Sequence, residues 1–226
     1  MFTGIVQQCV PIHWLDKKPG LVRFSLLLQG QLAEGVNIGA SIAINGVCLT
    51  VTEFKPCDSG LEVFFDMMQQ TLSLTNTAEF VSGSAVNVER SAQAMQEVGG
   101  HIVSGHIDAQ AEILTIEHSE NNCKMRFQVP QNLSKYLFNK GFVALNGCSL
   151  TIADCSAEDG WLDVWFIPKT LRATNFGQLS PGAKVNLEVE RATQAIVDTV
   201  ERVLADKNIG SIADISNAGN INNSNS

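Results

Sequence analysis

The sequence is poor in basic residues, which argues against a nucleic-acid-binding protein. Its 226 residues include 15 lysines and arginines against 23 aspartates and glutamates, giving a net charge of −8 and a pI near 4.9. With no basic stripe, we expect no nucleic acid as partner. No apolar run approaches the roughly 18–20 residues of a membrane-spanning helix, so we expect no membrane partner either.

Metal-binding and export motifs are also missing. None of the six cysteines forms a C-x-x-C pair, and none of the four histidines stands at zinc-ligand spacing from a cysteine pair. We therefore expect no metal site. The first residues, MFTGIV, lack the charged n-region of a secretory signal, which predicts a cytoplasmic protein with reduced thiols.

One short motif of the sequence, or phrase, occurs twice. Residues 45–51 read NGVCLTV and residues 146–152 read NGCSLTI. Three more phrases recur in the same order at a spacing of about 100 residues, which is the size of one domain. They are residues 2–6 and 103–107, residues 71–76 and 170–175, and residues 85–89 and 184–188. Two tandem homologous domains account for this pattern better than a short structural repeat.

Each half is predicted to be a small β-barrel. Short apolar and β-branched runs alternate with turn signals, and Asn-Gly between two such runs indicates a tight hairpin turn. Residues 2–6 and 101–106 are predicted to be the first strands of the two halves, and residues 133–138 a short helix. The polar side chains just after Asn-Gly are then candidates to face a pocket: Cys48, Thr50, Ser149 and Thr151.

The domain boundaries follow from the repeat. We expect one barrel over residues 1–97, a second over residues 98–192, a helix over residues 193–207 and a disordered tail over residues 208–226. The helix carries an apolar stripe, which is buried either on the barrels or against other copies of the chain. The stripe comprises Ile196, Val197, Val200, Val203 and Leu204.

These motifs together resemble the riboflavin synthase α-chain family of tandem lumazine-binding repeats. The motifs are MFTGIV, NGVCLTV, GGHIVSGH at residues 99–106, the second Gly-x-Ser-Leu-Thr, and Ile-Pro-x-Thr at residues 167–170. The resemblance implies a mainly β fold of two six-stranded Greek-key barrels plus a C-terminal α-helix that forms a homotrimer. It implies dismutation of two 6,7-dimethyl-8-ribityllumazine molecules without a metal or redox cofactor, at sites shared between neighbouring subunits.

The family chemistry requires a base that removes a proton from the C7 methyl group of one lumazine. A neutral imidazole suits this task near pH 7, and the resemblance assigns it to His106. Cys48 and Ser41 match the family positions near C7 of the other lumazine. His101 is interpreted as structural. Because Cys48 and His106 belong to different repeats, we expect them in different barrels.

The resemblance also implies a larger set of substrate-binding residues. Among them, Lys140 is expected to hold the ribityl chain or the ring anion. The full set is Gly4, Ile5, Val6, Cys48, Leu49, Thr50, Asp66, Met67, Met68, Gln69, Gln70, Thr71, Ser104, Gly105, His106, Lys140, Ser149, Leu150, Thr151, Phe166, Ile167, Pro168, Lys169 and Thr170.

The sequence departs from the family pattern at four positions that we interpret as ligand contacts. Asn146 stands where Asp is usual, Gln70 and Lys169 stand where Glu is frequent, and Glu190 aligns with an Asp. Two alternatives to a synthase remain: a relative that carries lumazine or flavin as an optical chromophore without catalysis, and a pair of barrels with no ligand. Polar groups repeated at equivalent places favour the enzyme.

Overall fold

The computed structural model describes residues 1–95 and 97–206, and its main elements are antiparallel strands. The first half contains β1 (Gln8–Lys18), β2 (Leu21–Leu28), β3 (Ser41–Ile44), β4 (Val47–Cys57), β5 (Gly60–Met68), α1 (Gln69–Leu74) and β6 (Ala85–Arg90). The second half contains β7 (Ala109–His118), β8 (Cys123–Gln128), α2 (Gln131–Ser134), β9 (Phe142–Leu145), β10 (Cys148–Ser156), β11 (Trp161–Phe166), α3 (Pro168–Ala173) and β12 (Lys184–Val189). The final element is α4 (Arg191–Asp206).

Each half closes into a six-stranded barrel. The strand order is β1-β2-β5-β4-β3-β6 in the first barrel and β7-β8-β11-β10-β9-β12 in the second, so the two topologies are the same. The prediction of two Greek-key barrels and a C-terminal helix is confirmed. Single 3-10 turns, Asn76–Glu79 and Asn175–Gln178, follow α1 and α3 at equivalent places.

The repeated Asn-Gly phrase forms the β3–β4 hairpin and its β9–β10 counterpart. Asn45 and Gly46 have φ angles of 47° and 80°, as a two-residue type I′ turn requires. Val47, Leu49 and Val51 then enter the core of the first barrel, so the alternating side chains of β4 lie on its outer surface.

Two predicted strands are wrong, one predicted helix is correct only at its start, and one strand was missed. Residues 2–6 and 101–106 are not strands; they meet only in an isolated bridge between Phe2 and Val103. The predicted helix over residues 133–138 is the shorter α2, which gives way to i→i+3 turns, such as that from Leu137 N to Ser134 O. Strand β1 was not predicted, because Pro11 and a bulge near Trp14 interrupt its alternation.

A cluster of six buried asparagines joins the two barrels: Asn45, Asn76, Asn87, Asn146, Asn175 and Asn186. Its hydrogen bonds cross the barrel boundary in equivalent pairs. The Asn87 side chain donates to Asn146 O at 2.9 Å, and that of Asn186 donates to Asn45 O at 2.9 Å. These hydrogen bonds between buried groups fix the relative arrangement of the barrels, because a shift would leave several of the bonded groups without a partner.

Helix α4 forms a structural unit separate from residues 1–190. Ile196, Val200 and Val203 recur at the spacing of one helix face, and all three are exposed in the single chain. Within the described residues, no helix has both the length and the apolar character needed to cross a bilayer. The predicted tail over residues 208–226 lies outside the described residues.

Candidate functional site

Two short segments cross between the barrels: the first leading segment, residues 3–6, and the second leading segment, residues 104–107. The residues that precede them are paired, with Phe2 N to Val103 O at 2.8 Å and Val103 N to Phe2 O at 3.0 Å. Each segment then runs along the outer surface of the barrel of the opposite half. The two segments make equivalent backbone hydrogen bonds, Gly4 O with Ser149 N and Gly105 O with Cys48 N.

The second leading segment lies on β4 of the first barrel. Cys48 N–H donates to Gly105 O at 2.9 Å, and a Cβ atom on Gly105 would stand 2.6 Å from the Cβ of Cys48. Ser41 and Thr50 face each other across the β3–β4 pair on the same outer surface. His106, which follows Gly105, is exposed. Cys48 and His106 belong to different repeats, as expected, but the segment that carries His106 lies on the first barrel beside Cys48.

The first leading segment lies in the same way on β10 of the second barrel. Ser149 N–H donates to Gly4 O at 2.8 Å, and Ile5, the counterpart of His106, is 46% exposed. Thr151 follows Ser149 on the outer surface of β10, and Lys140 approaches this strand because its N–H donates to Ile152 O at 2.8 Å. We call the surface around Cys48 and Gly105 the first ring site, and that around Ser149 and Gly4 the second ring site.

The two cysteines that follow the Asn-Gly turns differ in placement. Cys148 occupies a core position, and burial raises the pKa of its thiol to about 12. A thiol with so high a pKa is not a nucleophile near neutral pH. Cys48 is the second residue after its Asn-Gly pair, whereas Cys148 is the first. The side chain of Cys48 therefore lies on the outer surface, where it is only partly buried against Gly105. Of these two thiols, Cys48 is therefore the one placed for chemistry at a ring site.

His101 was interpreted as structural, but it touches the second ring site. Its Nδ1 lies 2.7 Å from Ser149 Oγ, and its ring stacks on Phe142 at a centroid distance of 5.3 Å. Burial lowers the pKa of His101, and the charge of Glu190 opposes this shift. Through this contact His101 holds the Ser149 side chain at the second ring site.

The ends of β5 and β11 with the helices after them occupy equivalent places in the two barrels. Met68, Gln69, Gln70, Ile167, Pro168 and Lys169 are exposed, whereas Thr71 and Thr170 are partly buried at the helices. Asp66 is partly buried and pairs with Arg23 at 3.6 Å. Four predicted site residues are buried in the barrels, so their side chains cannot contact a ligand on the outer surface: Leu49, Met67, Leu150 and Phe166.

Asn146 lies at neither ring site. Its side chain is 1% exposed and belongs to the asparagine cluster, where its Oδ1 accepts from Asn186 N at 2.8 Å and from Asn76 at 3.1 Å. This departure therefore lies at the contact between the barrels, where Asn146 also borders a hollow of about 340 Å³, and away from both ring sites. Glu190 is partly buried close to His101, which places that departure near the second ring site.

Two buried carboxylates that sequence reasoning missed hold the leading segments. Glu89 and Glu188 lie at the ends of the equivalent strands β6 and β12, and each accepts hydrogen bonds from backbone N–H groups of one leading segment. The repeated Val-Asn-x-Glu pattern of these strands was the available signal. In both strands this pattern places an Asn and a Glu at alternating positions between apolar residues, with the same spacing in the two halves.

Cavities lie both at and away from the predicted residues. A polar hollow of about 480 Å³ adjoins Ser41 and is bordered by Gln7, Gln31 and Arg90. A hollow of about 640 Å³, lined in part by Cys9, Met125 and Arg172, includes none of the predicted site residues. Among residues 1–95 and 97–206, no three His, Cys, Asp or Glu side chains are grouped so as to hold a metal ion.

The fold defines a duplicated β-barrel protein whose two halves carry equivalent outer surfaces at the two ring sites. The family model described as "Lumazine binding domain" matches residues 3–91 and again residues 104–190. The chain therefore belongs to the family of proteins built from tandem lumazine-binding domains.

Curated relatives cover nearly the whole chain. It is 44% identical to riboflavin synthase of Escherichia coli K12 over 206 residues, which is 91% of this chain and 94% of the relative. It is 34% identical to riboflavin synthase of Chlamydia pneumoniae, with 91% and 98% covered. The crystal structure of LumP complexed with riboflavin superposes with a TM-score of 0.77 at 26% identity, covering 84% of this chain and all of that one.

Proposed function

We propose that the protein is an enzyme of riboflavin biosynthesis that catalyses the riboflavin synthase reaction. Two molecules of 6,7-dimethyl-8-ribityllumazine give riboflavin and 5-amino-6-(D-ribitylamino)uracil. A four-carbon unit passes from one lumazine to the other, so the reaction needs no external oxidant or reductant. Similarity to riboflavin synthases along nearly the full chain supports this activity.

The observation that carries the proposal is that both ring sites keep polar side chains on equivalent outer surfaces. The first has Ser41, Cys48 and Thr50, and the second has Ser149 and Thr151. A reaction between two identical molecules needs two sites that bind the same ring. Short hydroxyl groups on stiff strands suit the carbonyl and nitrogen edge of such a ring.

We assign different chemical roles to the two ring sites. His106 serves as the base that removes the C7 methyl proton, and Cys48 with Ser41 acts at C7 of the lumazine under attack. Because Cys48 and the His106 segment lie at one ring site, the two groups are within reach of the same pair of stacked rings. Lys140, Ser149 and Thr151 orient the second ring.

The oligomer and the compartment belong to the same proposal. A single chain exposes both ring sites on barrel surfaces, and α4 carries an exposed apolar face formed by Ile196, Val200 and Val203. We propose a homotrimer in which α4 joins the copies and the first ring site of one subunit faces the second ring site of a neighbour. Such a contact brings two bound rings face to face. We propose that this trimer works in the cytoplasm.

A carrier that binds lumazine without turnover is the second candidate function. The structures of LumP complexed with riboflavin and with 6,7-dimethyl-8-(1'-D-ribityl) lumazine, at TM-scores of 0.77 and 0.74, favour this alternative. One experiment separates the two candidates. Purified protein is mixed with the lumazine, and riboflavin absorbance is followed together with lumazine consumption. An enzyme gives one riboflavin for every two lumazines, whereas a carrier binds tightly and gives none.

A further inference from the structure

Glu188 holds the second leading segment through three hydrogen bonds. Ser104 N–H and the Ser104 hydroxyl both donate to Oε1 at 2.7 Å, and Gly105 N–H donates to Oε2 at 3.0 Å. The Glu188 side chain lies in the interior, where the residue is 1% exposed. A carboxylate is an acceptor at both oxygens, so it satisfies all three donors at once.

Glu89 holds the first leading segment in the same way. Thr3 N–H and the Thr3 hydroxyl donate to Oε1 at 2.7 and 2.8 Å, and Gly4 N–H donates to Oε2 at 3.1 Å. In both halves the hydroxyl that donates to the carboxylate also accepts a hydrogen bond from the backbone two residues further along. Thr3 Oγ1 accepts from Ile5 N at 3.3 Å, and Ser104 Oγ accepts from His106 N at 3.2 Å.

Each carboxylate therefore fixes a ring site that belongs to the opposite barrel. Glu188 is part of β12 in the second barrel, and it accepts a hydrogen bond from Gly105 N–H. The carbonyl of Gly105 in turn accepts a hydrogen bond from Cys48 N–H of the first barrel. Glu89 of the first barrel is linked through Gly4 to Ser149 of the second barrel. The path in each case is carboxylate, one glycine peptide, and the strand residue at the ring site.

We propose that Glu188 and Glu89 are positioning residues, with Glu188 placing His106 beside Cys48 at the first ring site and Glu89 placing Ile5 beside Ser149 at the second. This inference rests on the proposed function for the role of His106. Geometrically the two carboxylates are equivalent, but the residues that they place are not. One places an imidazole that takes a proton, and the other places an apolar side chain that only contacts a ring.

This difference gives a kinetic signature that a purely structural role would not produce. Glu188→Gln keeps the side-chain shape but turns one acceptor into an N–H₂ donor that opposes a backbone N–H. Misplacing the base lowers kcat, and a displacement of about 1 Å costs up to roughly a hundredfold. Glu89→Gln makes the identical chemical change in the carboxylate that holds the first leading segment. It is expected to raise KM for the lumazine severalfold while kcat stays within about threefold of wild type.

The experiment measures kcat, KM and the melting temperature of the full-length protein and of both variants. Loss of kcat in Glu188→Gln, a raised KM in Glu89→Gln and similar shifts in melting temperature support the proposal. Equal kinetic losses in the two variants, or wild-type kcat in Glu188→Gln, would overturn it. Should Glu188→Gln not fold, Ser104→Ala removes the hydroxyl link to His106, with Thr3→Val as its matched control, and the same kinetic split is expected.

A binding measurement keeps this inference separate from the proposed function. If the wild-type protein makes no riboflavin, the synthase assignment fails. The positioning role of Glu188 and Glu89 is then tested by titration with riboflavin, whose fluorescence reports its environment. Glu188→Gln and Glu89→Gln should each weaken one of two classes of riboflavin site. Unchanged titration curves in both variants would reject positioning by the two carboxylates.

Discussion

Replacing Gly105 by alanine tests whether the second leading segment is packed against β4. Gly105 has a φ of +83°, and a Cβ atom there would stand 2.6 Å from Cys48 Cβ and 3.0 Å from Phe2 Cε2. The left-handed backbone costs an alanine about 1–2 kcal/mol. Forcing a methyl group into a packed contact costs about 1–3 kcal/mol more. The expected loss in the free energy of unfolding is therefore about 2–5 kcal/mol.

Gly83→Ala is a matched control for this substitution. Gly83 has a φ of +87°, but a Cβ atom there would meet no atom within 4 Å, so the control carries only the backbone cost. Urea denaturation of both variants isolates the contact as the difference between their free energies of unfolding. Synthase activity should fall in Gly105→Ala and persist in Gly83→Ala. If the two variants lose equal stability and keep equal activity, the segment does not pack on β4 as described.

Three further predictions concern the asparagine cluster, His101 and α4. Asn186→Ala unpairs one backbone N–H and one backbone C=O in the buried cluster and is expected to cost about 2–4 kcal/mol in denaturation experiments, and a loss under 1 kcal/mol would contradict the role given to the cluster. Because burial lowers the pKa of His101 below its ordinary value of 6.5, unfolding takes up a proton between the two pKa values. The free energy of unfolding should thus fall as pH drops through and below 6.5, and His101→Gln should flatten that slope; parallel slopes would refute the assignment. Truncation before Thr193 should reduce the mass measured by light scattering and abolish activity, whereas removal of residues 208–226 alone should do neither; unchanged mass and activity after the longer truncation would show that α4 does not join the subunits.

The fold was accessible from the sequence because the signals for it are local and appear twice. Asn-Gly specifies a type I′ turn wherever it stands between two β-type runs, and a recurrence about 100 residues later indicates a second copy of the domain. The leading segments were wrongly predicted to be strands because their apolar residues resemble those of a short strand. In the folded chain, Gly4 and Gly105 adopt positive φ values of 72° and 83°, and the segments bend away after a single bridge.

The candidate site was predictable in its residue types but not in its assembly. Cys48, Ser149 and the two leading segments all stand out in the sequence as repeated phrases. Which segment lies on which barrel depends on contacts between residues far apart in the chain, such as Cys48 with Gly105. Asn146 shows the same limit, since only the folded structure reveals that its side chain bonds to Asn76, Asn175 and Asn186 at the contact between the barrels.

The arrangement of the ring sites decides how inactive variants should complement one another. Cys48 and the segment carrying His106 lie at one ring site of the same chain. A mixture of Cys48→Ala and His106→Ala therefore contains no subunit with an intact first ring site, and we expect no recovery after subunits exchange. His106→Ala and Ser149→Ala damage different ring sites. In an equal mixture, about a quarter of the contacts between neighbours join two intact sites, so about a quarter of wild-type activity should return.

The measurement is riboflavin formation after the paired variants are unfolded and refolded together, with each variant refolded alone as the control. Recovery in the second mixture and none in the first supports ring sites that are complete within one chain and paired between chains. Recovery in the first mixture would show that thiol and imidazole meet only across a subunit boundary. Such a result would separate the working site from the contact between Cys48 and Gly105, and the roles of both leading segments would have to be reassigned.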